Sequence, residues 1–362
     1  MEYRGIEGAR LSHLGMGCMR LPTTLGKVDA KRAQQIIDYA MEHGVNYFDT
    51  AYIYHAGQSE KFLGRAMRKY PRESFCLATK YFLTGFRNYR KVFESQLKRL
   101  QTDYVDFYLV HSVLDATARA YEKNGCIEYF AEQKAKGRIR HLGFSSHAGL
   151  DKLEHFCGIH DWDFVQLQIN YYDWTFGTAR RQYEIACSHG LPIVVMEPVR
   201  GGKLATLSPD SRAILERVHP DWSPASWAMR WVMRLPNVKV VLSGMGDLDQ
   251  IADNVATFDS RPLTDEETDT LMQACGAFKQ QVAVFCTACR YCTHACPAHI
   301  DIPAVLDVYN RYKLDGAWGI ADELGKFPEG SRPADCIGCG ACAKRCPQGI
   351  DIPAVMRELA AV

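Results

Sequence analysis

The stretch AKRAQQIIDYAMEHGVNYFD, residues 30–49, contains the structural unit that decides the fold. Apolar side chains recur at helical spacing in its first part, and Gly44 is the residue type that often ends a helix. The apolar run Val45–Phe48 then has the length of a buried strand, and Asp49 follows directly. The stretch therefore predicts one helix and one strand, with a polar residue at the end of the strand.

The same alternation recurs along residues 1–262. The candidate strands are short apolar runs separated by segments of helical pattern: Leu14–Cys18, Val45–Phe48, Phe75–Ala78, Phe107–Val110, His141–Phe144, Phe164–Ile169, Ile193–Met196 and Val238–Leu242. This number of units in this length favours an α/β fold of the (β/α)8 TIM-barrel type. A doubly wound sheet also alternates, but no Gly-x-Gly-x-x-Gly follows the first strand, which argues against a Rossmann domain.

Near the other end of the sequence, one cysteine pattern occurs twice. Cys286-x2-Cys289-x2-Cys292-x3-Cys296-Pro297 recurs 50 residues later as Cys336-x2-Cys339-x2-Cys342-x3-Cys346-Pro347. This is the spacing of bacterial ferredoxins, which bind [4Fe–4S] clusters through four thiolates each. Structural zinc sites usually combine a Cys-x2-4-Cys pair with a distant second pair. The pattern therefore favours two [4Fe–4S] clusters over the alternative of two zinc sites.

The two cysteine runs also predict which thiolates share a cluster. The fourth cysteine of such a run usually ligates the other cluster. We therefore assign one cluster to Cys286, Cys289, Cys292 and Cys346, and the other to Cys336, Cys339, Cys342 and Cys296.

These signals predict three segments. The barrel occupies residues 1–262, a linker helix 263–280, and a small, mainly helical ferredoxin-like domain 281–362. Thr264 and Glu267 form a capping box at the start of the linker helix. The gap between the cysteine runs exceeds that of small ferredoxins and resembles the helical modules fused to redox enzymes of anaerobic metabolism.

The composition excludes several classes of function. A chain of 362 residues with 47% apolar residues can bury a large core and one further small domain. Its net charge of +1 gives no nucleic-acid footprint, and no apolar run approaches the ~18 residues that span a membrane. The first five residues lack the apolar core of a signal peptide, and 14 cysteines without such a signal indicate a cytoplasmic protein.

Polar residues follow three of the predicted strands. Asp49 follows the second strand, with Tyr54 in the next loop, Lys80 follows the third and His111 the fourth. Any one of them is more often a cap or a surface charge. Because the carboxyl ends of barrel strands form one rim, four residues suited to proton transfer at this rim indicate a catalytic group.

At these positions the sequence resembles a known family. Gly44-Val45-Asn46-Tyr47-Phe48-Asp49-Thr50-Ala51, followed by Tyr54, Ser59-Glu60 and Leu63-Gly64, resembles the signature of the aldo-keto reductases. The resemblance continues through Thr79-Lys80, Asp106 to His111, Gly137 to Ser145, Gln166, Gly201 to Leu204 and Asp253-Asn254. The whole chain resembles the branch of that superfamily that has a C-terminal ferredoxin domain.

The resemblance implies an oxidoreductase with the tetrad Asp49, Tyr54, Lys80 and His111. A tyrosine near its reference pKa of ~10 is a slow acid at neutral pH, and a neighbouring ammonium should lower that pKa. Asp49 would hold Lys80, and His111 would orient the carbonyl of a small-molecule substrate. Tyr54 would then protonate the oxygen while a hydride reaches the carbon.

The resemblance also implies a nicotinamide cofactor. Its predicted contacts are Ser145, Ser146, Gln166 and Met196 around the ring, and Ser243, Gly244, Met245, Gln250 and Asn254 around the phosphates. Ser146 replaces the usual Asn, and Met196 replaces the usual stacking aromatic. No Arg or Lys occurs from Ser243 to Asn254, where NADPH-dependent members carry one. NADPH is therefore in doubt, and NADH or FMN becomes plausible.

The number of electrons that each group transfers at a time is a reason to keep FMN as an alternative cofactor. A nicotinamide gives two electrons together, each cluster takes one, and a flavin does both. Redox-active clusters would exchange electrons with a partner such as ferredoxin or flavodoxin, whereas structural clusters would not. The second functional hypothesis is an electron-transfer or cofactor-binding module with an inactive barrel. Arg20 and Arg200 could bind a substrate carboxylate or phosphate, form structural ion pairs, or hold the cluster domain.

Overall fold

The computed structural model describes residues 1–86, 88–280, 282–315, 317 and 319–362. The chain divides into two compact units. The first consists of Met1–Pro198 and Ala225–Thr264, and the second of Val199–Pro224 and Asp265–Val362. The second unit thus combines the C-terminal region with an earlier segment of the chain.

In the first unit, the described residues include eight parallel strands that form a closed barrel. They are β1 (Leu14–Gly17), β2 (Tyr47–Asp49), β3 (Cys76–Tyr81), β4 (Val105–Val113), β5 (Ile139–Ser146), β6 (Phe164–Gln168), β7 (Ile193–Met196) and β8 (Val238–Ser243). Neighbours in sequence are neighbours in the barrel, and β8 pairs with β1. The predicted barrel is confirmed.

Several strands extend further than their apolar runs. Asp49, Lys80 and His111 lie within β2, β3 and β4, and do not follow them as predicted. The reason is that the ladder continues past the apolar residues: Asp49 pairs with Ala78, and Lys80 with Leu109. These polar side chains are therefore held on strands.

The amino-terminal end of the barrel is closed by a hairpin. Its strands, Tyr3–Ile6 and Ala9–Ser12, pair antiparallel, and a second short pair joins Thr23–Thr24 to Lys27–Val28. Ile6 of the hairpin packs in one core with residues from the barrel interior, including Phe107. This apolar closure leaves the opposite end, formed by the carboxyl ends of the strands, for polar chemistry.

Helices of the first unit follow the barrel strands along the chain. They are Ala30–Glu42, Gln58–Ala66, Tyr89–Leu100, Ala118–Lys123, Cys126–Ala135, Leu150–Gly158, Tyr171–Phe176, Ala179–Ser188, Pro224–Met233 and Leu248–Phe258. The first begins at Asp29, whose side chain accepts a hydrogen bond from the Arg32 backbone N–H. It buries Ile36 and Ile37, two of the apolar residues that predicted it.

The second unit is mainly helical. Its helices are Pro209–Glu216, Asp265–Lys279, Ile302–Asp315, Ile320–Gly325 and Ile352–Leu359. The first two pack against each other. His219 Nε2 lies 2.6 Å from the Glu267 carboxylate beside this contact. The helix predicted as a linker is therefore a packed element of this unit.

The two cysteine runs have the same backbone conformation at equivalent positions. Residues 288, 290 and 299 of the first run have positive φ angles of 50°, 64° and 51°, and residues 338, 340 and 349 of the second have 67°, 71° and 64°. The second run has glycine at all three positions, whereas the first has Ala288, Arg290 and His299. Glycine adopts this conformation readily, whereas other residues are strained in it. The sequence repeat is therefore also a structural repeat.

Among the residues described here, no helix is both long enough and apolar enough to cross a membrane.

Candidate active site and cysteine centre

The predicted tetrad begins with a buried ion pair. Lys80 Nζ donates to Asp49 Oδ1 and, at 2.8 Å, to the carbonyl oxygen of Thr50. Lys80 is fully buried and Asp49 is 2% exposed. A buried pair of this kind is costly to break, because the remaining partner would be an uncompensated charge. The pair therefore fixes the Lys80 ammonium in one position.

Tyr54 and His111 complete the group. Lys80 Nζ lies 5.2 Å from the centre of the Tyr54 ring. The ring centres of Tyr54 and His111 are 6.0 Å apart, and Phe82 packs edge-on against His111 at 5.5 Å. The Tyr121 hydroxyl donates to the His111 carbonyl oxygen at 2.5 Å. The structure thus brings all four predicted tetrad residues together.

The ionisation of these groups follows from their burial. Burial raises the pKa of Asp49 and lowers the pKa of Lys80, and the attraction between the two opposes both changes. Burial, with the positive charge of Lys80 adding to it, holds the pKa of His111 well below its usual value. His111 is therefore a neutral imidazole at neutral pH.

A hydrogen-bond network around Glu60 supports the Lys80 strand. Glu60 Oε1 accepts from Thr79 at 2.7 Å and from Gln96 at 2.8 Å, and Oε2 accepts from Arg99 at 2.9 Å. Gln96 also donates to the Lys80 carbonyl oxygen at 3.0 Å. From the sequence, Glu60 is expected only as part of the family signature, and Gln96 is not expected at the site. A Gln in the middle of an amphipathic helix carries no local signal that it is buried.

The predicted nicotinamide contacts lie on neighbouring strands. Ser145 of β5 and Gln166 of β6 are paired in register, and both are buried. Ser145 Oγ accepts from the Ser112 backbone N–H at 2.7 Å, which leaves the Ser145 hydroxyl proton for another partner. Within the described residues, the buried Gln166 Oε1 has no hydrogen-bond partner. A carboxamide, with both donor and acceptor atoms, fits these groups.

Ser146 and Met196, which replace residues usual in the family, differ in their surroundings. Ser146 is buried, and its Oγ accepts from the Ala148 N–H at 3.1 Å within the loop that follows β5. Met196 is half-buried at the end of β7 and pairs in register with Gln168. A methionine side chain can pack against a flat ring, although it lacks the defined stacking geometry of an aromatic.

The predicted phosphate loop follows β8. Ser243 accepts from Asn254 Nδ2 at 2.9 Å, and Gln250 Oε1 accepts from the Gly246 N–H at 2.8 Å. Met245 is fully buried, so its side chain anchors the loop to the protein interior. These bonds hold the loop against the start of the helix Leu248–Phe258, where backbone N–H groups and the helix dipole favour an anion.

A cation from another loop lies beside this phosphate loop. A side chain added at Gly244 would meet Cβ, Cγ and Cδ of Arg20 at 3.1 Å. Arg20 follows β1, which is the neighbour of β8 in the closed barrel. The absence of Arg and Lys between Ser243 and Asn254 therefore does not leave the loop without a positive charge.

In the second unit, four of the predicted cluster ligands lie together. One cavity is lined by Cys296, Cys336, Cys339 and Cys342, so the fourth cysteine of the first run joins three of the second. Burial raises the pKa of Cys292 to about 11, and Cys286 and Cys346 add to this increase. Cys286 and Cys346 therefore lie close enough to Cys292 to influence its ionisation. Four thiolates around one cavity are the donor set that an iron–sulfur cluster requires.

Arg200 connects the two cysteine runs within this unit. Its guanidinium donates to the Phe285 carbonyl oxygen at 3.0 Å and to Gln348 Oε1 at 2.9 Å. The next residue, Gly201, has φ +67°, and a Cβ there would lie 2.3 Å from the Thr287 carbonyl oxygen. Of the alternatives stated for Arg200, these contacts agree with holding the cluster domain.

Two protein families have sequence profiles that match this chain. The sequence profile of the Aldo/keto reductase family matches residues 13–275, and that of the 4Fe-4S dicluster domain matches residues 285–350. The chain therefore belongs to the aldo/keto reductase family and carries a C-terminal 4Fe-4S dicluster domain, and it is an oxidoreductase.

Individual relatives match most of the barrel. The uncharacterized oxidoreductase YqkF of Bacillus subtilis (strain 168) is 27% identical over 305 residues, which cover 74% of this chain and 94% of that protein. L-galactose dehydrogenase of Arabidopsis thaliana is 25% identical over 285 residues, covering 70% and 86%. The aldo-keto reductase AKR11C1 from Bacillus halodurans, in its holo form, has a TM-score of 0.64 and 28% identity, covering 76% of this chain and 96% of that one.

Proposed function

We propose that this oxidoreductase reduces a carbonyl or a related double bond of a small molecule in the barrel, with Tyr54 as the general acid, or catalyses the reverse oxidation. The observation that carries the proposal is the position of the Lys80 ammonium, which is buried, paired with Asp49 and 5.2 Å from the centre of the Tyr54 ring. Two electrons and two protons convert a carbonyl to an alcohol, and one of those protons comes from the phenol.

Lys80 makes this proton transfer easier. An ordinary tyrosine, with a reference pKa of ~10, holds its proton too tightly to be a good acid at neutral pH. A fixed ammonium nearby favours the phenolate that remains after the proton has left. Asp49 keeps the ammonium in place, and the network around Glu60 keeps the Lys80 backbone in place.

His111 orients the substrate. Because burial keeps its imidazole neutral, it can donate one N–H to a carbonyl oxygen without adding a second cation beside Lys80. A carbonyl oxygen that accepts hydrogen bonds from both His111 and Tyr54 would present its carbon in one orientation. Fixing this geometry is itself a large part of catalysis.

Ser145 and Gln166 would hold a nicotinamide carboxamide, and the β8 loop with Arg20 would hold the phosphates. Support comes from the buried Gln166 Oε1, which has no hydrogen-bond partner among the residues that the structure describes, and from the Arg20 stem beside Gly244. When bound, NADH or NADPH supplies the hydride. FMN remains the alternative cofactor, because a flavin converts between two-electron and one-electron transfer.

In the second unit, the proposed ligands of one cluster are Cys286, Cys289, Cys292 and Cys346, and those of the other are Cys336, Cys339, Cys342 and Cys296. The cavity lined by the latter set supports the assignment. We further propose that these clusters are redox-active and exchange electrons with a carrier such as ferredoxin or flavodoxin.

A second candidate function is an electron-transfer or cofactor-binding module whose barrel does not turn over substrate. Met196 and Ser146 favour it, because they replace two side chains by which the family usually holds the nicotinamide. In the first candidate function the Asp49–Lys80 ion pair beside Tyr54 assists catalysis, whereas in the second it has only a structural role.

One set of measurements on anaerobically purified protein tests the proposal. Iron and acid-labile sulfide analysis should give about eight of each per chain. Fluorescence titration with NADH, NADPH and FMN identifies the cofactor, and a panel of aldehydes and ketones tests turnover. Two zinc ions without iron would refute the cluster assignment. Tight cofactor binding without turnover of any carbonyl would favour the second candidate.

A further inference from the structure

The two cysteine runs share a backbone conformation but differ in exposure. In the first run Cys286 and Cys292 are buried, and Thr287 is 2% exposed. In the second run Cys339 is exposed, and Ile337, at the position equivalent to Thr287, is 72% exposed. The set that contains Cys339 is therefore the one nearer to solvent.

Glycine increases this accessibility. Gly338 and Gly340 flank Cys339, and they stand where the first run has Ala288 and Arg290. Both glycines have positive φ, as the equivalent residues do, so the path of the loop is the same while the side chains are missing. A partner can therefore approach Cys339 closely, and electron transfer between proteins becomes faster as the distance between redox centres decreases.

Ile337 adds an apolar contact at this site. A large aliphatic side chain in a cysteine loop favours binding when a partner removes its surface from water. Ile337 also lines the cavity formed by Cys296, Cys336, Cys339 and Cys342. The exposed apolar side chain and the cysteine cage thus belong to one surface.

Two cations follow the glycine loop of the second run. Lys344 and Arg345 are exposed, and within the described part of the chain neither forms an ion pair. The Lys344 backbone N–H donates to the Gly340 carbonyl oxygen at 3.2 Å, which fixes Lys344 next to the glycine loop. The equivalent residues of the first run are His294 and Ala295.

The nearby carboxylates are engaged in capping. Asp335 Oδ2 accepts from the Arg332 backbone N–H at 2.8 Å, and Asp351 Oδ1 accepts from the Ala354 N–H at 3.1 Å. Carboxylates at helix starts are partly offset by the N–H groups that they cap. The second run therefore exposes one large apolar side chain, Ile337, and two cations, Lys344 and Arg345.

We propose that this surface, formed by Ile337, Gly338, Cys339, Lys344 and Arg345, is the docking site of an acidic one-electron carrier protein. The proposal rests on the proposed redox function of the clusters. At each encounter a reduced carrier loses one electron and one cluster of this protein gains it. Opposite charge accelerates such encounters and makes them sensitive to salt.

The test uses the cluster-loaded full chain and two reductants. A dithionite-reduced acidic ferredoxin is mixed with the oxidised protein, and cluster bleaching is followed by stopped flow at several ionic strengths. Reduced methyl viologen, a small dye that needs no protein docking surface, is used in parallel. A flavodoxin hydroquinone in a third arm shows whether a flavin carrier uses the same surface.

We expect Lys344→Glu/Arg345→Glu to slow reduction by ferredoxin at least tenfold at low salt and to leave reduction by the dye unchanged. The neutral pair Lys344→Gln/Arg345→Gln should show an intermediate loss, and Ile337→Ser a loss of severalfold. The matched control is Lys91→Glu/Lys98→Glu, an equal charge change on the exposed face of the helix Tyr89–Leu100. Iron content and visible spectra establish that each variant retains its clusters.

Each other outcome has a distinct meaning. If neither reductant bleaches the clusters, the proposed redox function fails. If the dye reduces them but the charge-reversed protein reacts with ferredoxin as fast as the control, the docking proposal fails and the redox function stands. If sedimentation shows a dimer that Ile337→Ser dissociates, the surface is a contact between copies of this chain, and the proposal is overturned.

Discussion

The Lys80 ammonium lies 5.2 Å from the centre of the Tyr54 ring and is held there by Asp49. This relationship joins β2, β3 and the loop after β2 into one group, although its three side chains come from separate parts of the sequence. Because removing one partner of a buried ion pair leaves an uncompensated charge, the site is also a determinant of stability. Its catalytic and structural roles can be separated by substitution.

Tyr54→Phe should reduce carbonyl turnover by about 10²–10⁴-fold, the usual contribution of a general acid, and leave cofactor affinity nearly unchanged. The change removes only the hydroxyl, so the ring contact with His111 remains. Steady-state kinetics and cofactor titration measure the two effects. Tyr52→Phe removes a phenol hydroxyl in the same loop and is the control. Undiminished turnover in the Tyr54 variant would exclude it as the acid.

Lys80→Met should destabilise the protein by about 3–5 kcal/mol, because it leaves the Asp49 carboxylate buried and unpaired. In Asp49→Leu/Lys80→Met the charge is gone, so most of this stability should return while activity does not. Urea unfolding and turnover are measured on each variant. The control is Arg180→Met, which breaks an exposed pair with Glu184 and should cost less than about 1 kcal/mol. Equal stability of the single and double variants would contradict the argument.

His13 should make the barrel less stable in mild acid. Burial lowers its pKa to about 3, with Arg4 adding to the effect and Glu2 opposing it. An unfolded histidine has a pKa near 6.5, so below that pH the unfolded chain binds a proton that the folded chain excludes. The free energy of unfolding should therefore fall by up to roughly 1.4 kcal/mol per pH unit between about pH 6 and pH 4 because of this residue.

This pH dependence is measured by urea unfolding at pH 7, 6, 5 and 4. In His13→Leu the fall should be smaller by the contribution of one histidine. His43→Leu, a change at an exposed histidine, is the control. The same slope in wild type and His13→Leu would show that the His13 ring does not control acid stability.

Much of the fold could be predicted because it depends on local patterns. The apolar runs of β6 and β7 predict strands without any knowledge of which strands they pair with in the barrel. The residue spacing around Tyr54 and Lys80 is characteristic enough to locate the tetrad. The repeat of cysteines likewise predicted the dicluster domain, which the family profile confirms.

Other features depend on contacts that no local pattern records. Arg20 lies beside Gly244 only because the barrel closes β8 against β1. Thr287 and Ile337 occupy equivalent positions in identically spaced runs, yet one is buried and the other exposed. The segment Val199–Pro224 joins the second unit through packing of the helix Pro209–Glu216, whose sequence does not differ in kind from that of a barrel helix.

Arg20→Met should weaken binding of NADH and NADPH equally, by about tenfold each. Arg20 lies at the glycine of the loop after β8, where the cofactor's shared pyrophosphate would be bound, and a charged hydrogen bond contributes about 1.5–3 kcal/mol. Equilibrium titration of both dinucleotides measures the loss, with Arg32→Met on an exposed helix surface as the control. A loss confined to NADPH would show that Arg20 contacts the 2′-phosphate instead.

Arg200→Met should lower the reduction potential of the cluster assigned to Cys286, Cys289, Cys292 and Cys346. Arg200 places a buried positive charge between the backbone of Phe285, which precedes the first of these cysteines, and Gln348, which follows the last. Reduction adds a negative charge to a cluster, so a nearby cation favours the reduced state, and net charge is one of the main determinants of cluster potential.

Potentiometric titration followed by EPR measures this shift. A contribution of about 1.4 kcal/mol to the reduced state would correspond to about 59 mV for a one-electron couple. Arg200→Lys keeps the charge and should restore part of the potential, whereas loss of hydrogen bonds alone would leave it as low as in the Met variant. Arg311→Met, which breaks the exposed pair with Glu323, is the control and should shift neither cluster. Unchanged potentials in Arg200→Met would mean that Arg200 only links the two cysteine runs mechanically.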